Sequence, residues 1–288
     1  VDRSTPLLKG RVDDLFRHLP RALAGEEEPV HQMRVAGRRL RVALPLLAKG
    51  PEGRRVRRAG RVLRQLTRVA GAGRDLDVSV ALFDAQVPAG GAASEAQRTL
   101  RRRLRAARTR SRRRLAGSLL DVDIARLRRD LRAVQSARGE VLFTVVLRMR
   151  EAREARGARL LESLAALGDR YDPVALHEAR KQVRRLRYGA ELADALLGQA
   201  SPAPGVFKGL QEQLGAVRDT WVLAAWLGRQ ARAAQARAQH ALADEAAALQ
   251  RLFEEMSAAQ HRGFLQSPPA ERVRAGLMAM GPTRSSAA

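Results

Sequence analysis

One stretch of this chain occurs twice at a fixed spacing, and that repeat limits what the chain can fold into more than any other feature. Val30–Leu47, VHQMRVAGRRLRVALPLL, returns as Leu176–Leu197, LHEARKQVRRLRYGAELADALL. His31 answers to His177, Arg34 to Arg180, and Arg38-Arg39-Leu40-Arg41 to Arg184-Arg185-Leu186-Arg187, each 146 residues on. A second pair of blocks follows in the same order. Ala70-Gly71-Ala72-Gly73-Arg74-Asp75 answers to Leu214-Gly215-Ala216-Val217-Arg218-Asp219, now 144 residues on. Two matched blocks in one order mark an internal duplication, so each half is expected to build the same arrangement.

The repeated stretch has a clear helical wheel. At 100° per residue, with His31 at zero, Met33, Leu40, Leu44 and Leu47 fall between roughly 160° and 220°. That is an apolar stripe of ordinary core width. His31, Arg34, Arg38 and Arg41 are spaced i, i+3, i+7, i+10 and share another face, from roughly 280° to 0°. The second copy repeats the geometry with His177, Arg180, Arg184 and Arg187, flanked by Lys181 and Tyr188; Arg39 and Arg185 lie further round. Like charges at i,i+4 cost a few tenths of a kcal/mol each. A solvated basic face is the plain reading of one such stripe. Two stripes with the same residues at the same angles favour a row of guanidinium forks built for a row of anions.

Charge points the same way. The 288 residues carry 54 Lys and Arg against 30 Asp and Glu, a formal charge of +24, with a pI near 11.7. This implies a polyanionic partner: nucleic acid, inorganic polyphosphate or an anionic membrane. Lysine stands only at positions 9, 49, 181 and 208. A G- and C-rich genome would favour Arg over Lys, but would not create the surplus of positive charge. With 45% hydrophobic residues the chain is globular, and it has no cysteine, which fits a reducing cytosol. No apolar run approaches the ~18 residues of a membrane span. No signal peptide is visible, and Val1 in place of Met suggests a trimmed or processed start.

Helical spacing predicts helices over Leu7–Ala24, Val30–Lys49 (bent near Pro45) and Arg54–Ala70. A glycine-loosened turn leads through Arg74-Asp75 into a shorter helix ending at Phe83. After the Pro88–Ser94 loop come Glu95–Leu120, long and very basic, and Asp121–Arg138. Gly139 marks the boundary of the halves. Leu142–Leu167, Val174–Leu197, Val206–Leu214, Arg218–Gln235 (bends at Gly215 and Gly228) and Ala236–Gln266 follow, then a short helix and a polar tail, Gly281–Ala288. Nothing alternates with period two for long enough to be a strand. The expectation is an all-α chain, with 1–138 and 139–288 each sized for a bundle of about four helices.

HQMRVAGRRLR followed by GAGRDLDV, then LHEARKQVRRLRY followed by LGAVRD, resembles the CHAD family, the conserved histidine α-helical domain. The likeness covers roughly residues 7–280. It implies two pseudo-symmetric four-helix bundles with a basic groove or pore between them. It also implies binding of inorganic polyphosphate and association with cytoplasmic polyphosphate granules and the proteins on them. Many family members occur beside a triphosphate tunnel catalytic domain. The ExExK signature of that domain is absent, so its activity is not carried over. Val217 stands where the first copy has Gly73, so the two turns need not match.

Polyphosphate has no bases and about one charge per phosphate, so regularly spaced donors suffice. Arg34, Arg38, Arg41, Arg180, Arg184 and Arg187 are expected to clamp successive phosphates, with Lys181 adding a point charge. Arg39 and Arg185 join them, as do Arg64 and Lys208 as wall residues one helix on. His31 and His177 are expected to donate to phosphate, whose charge would raise their pKa. Arg74 and Arg218 divide between anion contact and structure, Tyr188 between a phosphate contact and packing. Asp75 and Asp219 read as structural, capping or orienting basic side chains. His18, His240 and His261 have no counterparts and read as structural. No metal, cofactor or catalytic residue is expected. The competing reading is a nucleic-acid binder with a generic basic surface, against which stand only 3% aromatic residues and no stacking platform. An enzyme acting on phosphate chains would need carboxylates in the basic face, and the repeat supplies only Asp75 and Asp219.

Overall fold

A computed structural model describes residues 3–88, 90, 93–136 and 141–280. Among them are eleven α-helices and no strand: α1 Ser4–Leu23, α2 Glu27–Leu47, α3 Arg54–Val69, α4 Gly71–Gln86, α5 Glu95–Leu120, α6 Ile124–Gln135, α7 Leu142–Leu167, α8 Pro173–Leu197, α9 Ala203–Gln235, α10 His240–Gln266 and α11 Pro269–Ala279. The chain is all-α, as its periodicity predicts. None of the described helices is long and apolar enough to cross a membrane. Gly139 and the Gly281–Ala288 tail lie outside the described residues.

Local signals set the ends of several helices. Asp172 accepts from the backbone N–H of Val174 at 2.9 Å and of Ala175 at 3.1 Å, with Pro173 in the first turn of α8. Gly198 ends that helix in the left-handed region, at φ +70°. Ser94 and Gln97 form a capping box at the start of α5. α2 starts at Glu27, before the predicted Val30. Pro29 falls within its first turn, where a missing N–H is harmless, and Glu27 and Glu28 meet the positive end of the helix dipole.

Three expectations need correction. Gly71-Ala72-Gly73 is no turn but the first turn of α4. α9 runs unbroken through Gly215 and Gly228, where two helices and two bends were expected. Glycine costs a helix about 1 kcal/mol relative to alanine. Here it makes room: a Cβ on Gly215 would lie 3.4 Å from Arg180, and one on Gly228 would lie 2.6 Å from Gln250 of α10. Asp75 and Asp219 lie inside α4 and α9, so neither caps a helix.

The buried side chains form three clusters. The first joins α1, α2, α3 and α6 with Leu115 and Leu119 of α5, Val145 of α7, and Tyr188, Leu192 and Leu196 of α8. The second joins α4 and the start of α5 to the end of α9 and α10. The third joins α7, α8, the start of α9, Phe264 of α10 and Val273 of α11. Each large side chain in them contributes about 1.5–3 kcal/mol by leaving water. The first two clusters both draw on helices from either side of Gly139. Burial thus holds α2 against α8 and α4 against α9, the helices that carry the repeated motifs.

Candidate functional site

The apolar stripe predicted for α2 faces the core. Met33, Leu40, Leu44 and Leu47 are buried, and so are Ala179, Leu186 and Ala190 in α8. This orientation turns the basic faces of the two helices towards each other. Arg184 is the strongest charged influence on Arg38, while Arg184 itself feels Arg180 most and then Arg34 and Arg185. Burial is the main influence on both, followed by the charge of neighbouring guanidinium groups, and it drives their pKa well below the usual guanidinium value. Arginine nonetheless stays protonated at physiological pH. The cost therefore remains in the structure as two partly desolvated charges without a carboxylate.

Beside them lies a cleft of about 400 Å³, lined by Arg38, Arg41, Arg64, Arg156, Lys181, Arg184, Arg185 and Tyr188 with Val42 and Gly60. Seven cations line it and no carboxylate does. Lys181 pairs with Glu178 outside the lining. Arg41 donates to the Thr67 hydroxyl at 3.4 Å and Arg185 to Gln182 Oε1 at 3.4 Å. Tyr188 is buried, and the guanidinium groups of Arg39 and Arg187 each lie 5.8 Å from its ring centre.

A polar knot closes one side of the paired helices. Arg218 donates to both oxygens of Asp75, at 3.1 and 2.7 Å, and to Asp219 at 3.2 Å, linking α9 to α4. Arg34 lies over Gly71, its Nη1 3.4 Å from the Gly71 carbonyl, and Arg180 lies over Gly215. The same geometry is thus built twice from matched residues. The Nε atoms of Arg34 and Arg180 and Nδ1 of His177 are buried without a hydrogen-bond partner. Each such atom costs about 1–3 kcal/mol unless water or an anion meets it.

His31, Arg34 and Arg74 line a second cavity of about 320 Å³, which also holds Glu27, Glu28, Asp77 and Arg112. His31 is held below its ordinary pKa by burial and then by Arg74; His177 is held down by burial and then by Arg218. His177 lines neither cavity.

The other predicted residues are placed differently. Arg39 and Arg187 both bind Glu191, at 2.9 and 3.0 Å, so they share one carboxylate and are held away from the cleft lining. Lys208 is exposed, pairs with Glu212 at 3.7 Å and does not line the cleft, although Arg64, the residue it was matched with, does. Arg156 of α7 lines the cleft and was not foreseen. It stands 145 residues after Arg11, as Leu160 does after Leu15. Matching α7 to α1 residue by residue pairs the two arginines, but Arg11 does not line the cleft, so the match alone would not mark Arg156.

A profile of the CHAD domain matches residues 7–228. The chain belongs to the CHAD family. The match ends within α9, short of the residue 280 expected from the sequence, but the likeness in structure goes further. The crystal structure of the CHAD domain from the plant Ricinus communis superposes with a TM-score of 0.63 at 22% identity, covering 96% of this chain and 91% of that one. PptA from Streptomyces chartreusis gives 0.64 at 18% identity, covering 92% and 98%. At these identities the likeness is one of fold. Among curated proteins nothing matches the chain. Within this CHAD fold, the motif-bearing α2 and α8 supply five of the cleft's seven cations, and α3 and α7 supply Arg64 and Arg156.

Proposed function

We propose that the chain binds inorganic polyphosphate, without turning it over, in the cationic cleft between α2 and α8. The observation that carries this reading is the cleft lining: seven cations, no carboxylate, and Arg38 opposed to Arg184 with neither neutralised. A flexible polyanion would relieve that repulsion, and guanidinium forks suit its phosphates. The resemblance to CHAD proteins implies the same ligand. In this reading 1–138 and 139–288 are two bundles related by duplication, and the cleft belongs to a basic groove or pore between them. The knot of Arg218, Asp75 and Asp219 orients Arg34 and Arg180 along its wall. The protein would work in the cytoplasm on polyphosphate granules, with granule proteins as further partners.

Nucleic acid is the competing ligand, bound non-specifically through surplus charge. The one ring in the cleft is Tyr188, which is buried and flanked by Arg39 and Arg187, so no stacking platform is offered to bases. The test is a titration with long-chain polyphosphate at fixed salt, competed with double-stranded DNA. Binding that resists DNA and collapses in a His31→Ala/Arg38→Ala/His177→Ala/Arg184→Ala variant supports the reading. Equal displacement by DNA, or an unaffected variant, would count against it. A parallel assay with magnesium is expected to release no phosphate.

A further inference from the structure

Among the matched positions at which the two helices differ, one changes how their arginines are paired. Glu191 of α8 sits between Arg39 of α2 and Arg187 of α8, bonding both at 2.9 and 3.0 Å. Arg11 of α1, whose pKa burial and then Arg39 hold below the usual guanidinium value, has Glu191 as a partly offsetting neighbour. Shifted by the repeat spacing of 146, Arg39 becomes Arg185, Arg187 becomes Arg41 and Glu191 becomes Pro45. Arg11 becomes Arg156, at 145. On this second side Arg41 and Arg156 each have Arg185 as an electrostatic neighbour, and no carboxylate joins them. Arg156 has no hydrogen bond or ion pair among the described residues, and Pro45 stands where the carboxylate would be.

Next to these arginines runs an apolar groove of about 290 Å³, at the lower end of ligand-pocket size. Its walls include Leu46, Val146, Met149, Leu186, Leu196 and Met280, and Arg156 and Arg185 line both this groove and the cationic cleft. Val146 and Leu197 are exposed at its mouth, and Leu142, Phe143 and Leu147 continue the apolar surface along α7. Segments 137–140, Ala-Arg-Gly-Glu, and 281–288, Gly-Pro-Thr-Arg-Ser-Ser-Ala-Ala, carry no large apolar side chain that would suit it.

We infer that this groove binds a long-chain fatty acid. Its carboxylate lies between Arg156 and Arg185, the counterparts of Arg11 and Arg39 that flank Glu191 on the other side, and its alkyl chain follows the apolar wall. Arg150 and Arg153 also line the groove but pair with Glu154, so among the described residues the cations that meet the apolar wall without a carboxylate are Arg156 and Arg185; an anion without a chain, or a chain without an anion, satisfies only half of the site. The inference does not depend on what fills the cationic cleft, but a bound head group would occupy two of the cleft's arginines.

The test is calorimetric titration of the full chain with dodecanoate below its micellar range, beside butanoate and dodecyl maltoside. Dodecanoate is expected to bind at least tenfold more tightly than either. Pro45→Glu, which restores the missing carboxylate from within the chain, should weaken it at least tenfold. So should Val146→Asn/Leu197→Asn, two exposed positions that carry no charge, and this pair should leave polyphosphate affinity within twofold. Butanoate or dodecyl maltoside binding as well as dodecanoate would overturn the inference. So would dodecanoate affinity unchanged by Pro45→Glu in a variant whose circular dichroism and melting match the parent.

Discussion

The two halves of the chain contribute almost evenly to the cleft but very unevenly to its charge. Residues 1–138 hold 33 Lys and Arg against 14 Asp and Glu, a surplus of 19; residues 139–288 hold 21 against 16, a surplus of 5. Yet the first half sends Arg38, Arg41 and Arg64 into the cleft, and the second sends Arg156, Lys181, Arg184 and Arg185. Much of the first half's surplus lies elsewhere. On α5, Arg101 and Arg105 bind Asp84, Arg108 and Arg112 bind Asp77, and Arg110, Arg113 and Arg114 point to solvent. Net charge therefore says that a polyanion is welcome, and unpaired, partly desolvated charge says where. Exposed arginines keep their hydration and gain little from an anion in salt.

The sharpest way to break this comparison is to remove equal charge from the two places. Arg38→Ala/Arg184→Ala should lower polyphosphate affinity by about a hundredfold or more, since a hydrogen bond to a charged group contributes about 1.5–3 kcal/mol. Arg113→Ala/Arg114→Ala should change it by about threefold at most, as screened surface charges do. Similar losses in a binding titration would return the site to generic charge.

A second contrast lies in the polar knot, where matched residues have taken unequal roles. Arg218 holds Asp75 and Asp219 together, while its counterpart Arg74 is exposed and has no ion pair among the described residues. Burial raises the pKa of Asp219, so its ionised form depends on its arginine neighbours. Arg218→Ala should destabilise the fold by about 2–4 kcal/mol in urea unfolding, the cost of orphaning a partly buried carboxylate. Arg74→Ala should stay within about 0.5 kcal/mol, as surface substitutions usually do.

Two smaller effects sharpen the picture. Arg64→Ala should weaken polyphosphate binding about fivefold and Lys208→Ala by less than about twofold, because only the first lines the cleft. The histidines predict a pH dependence. Both pKa values lie below the ordinary value in the free protein, so both rings are neutral at pH 7. A bound polyanion raises those pKa values, so binding takes up protons and tightens as pH falls from 8 towards 5.5. The gain should be about threefold, and His31→Ala/His177→Ala should flatten it. The same shift has an opposite sign for folding. The unfolded chain binds protons more readily, so stability declines as pH falls through the ordinary histidine value towards the folded one.

The all-α class and the inward faces of α2 and α8 were legible because period and residue type agree over twenty residues. The cleft's central pair followed from the wheel alone. What the sequence hid depends on contacts across the chain. Gly71 and Gly215 read as turns because nothing local shows that Arg34 and Arg180 lie over them. Arg39 and Arg187 looked like clamps because Glu191, whose repeat position holds Pro45, has no mark as their shared partner. Arg156 sits on a helix without the histidine-arginine motif, and its match with Arg11, which does not line the cleft, does not connect it to the site.

The most direct test of the central claim is a crystal structure of the protein with a short polyphosphate such as tripolyphosphate. Phosphate oxygens within hydrogen-bond distance of both Arg38 and Arg184 are the predicted result. Phosphate held only by the exposed arginines of α5, with the cleft between α2 and α8 empty, would contradict the account.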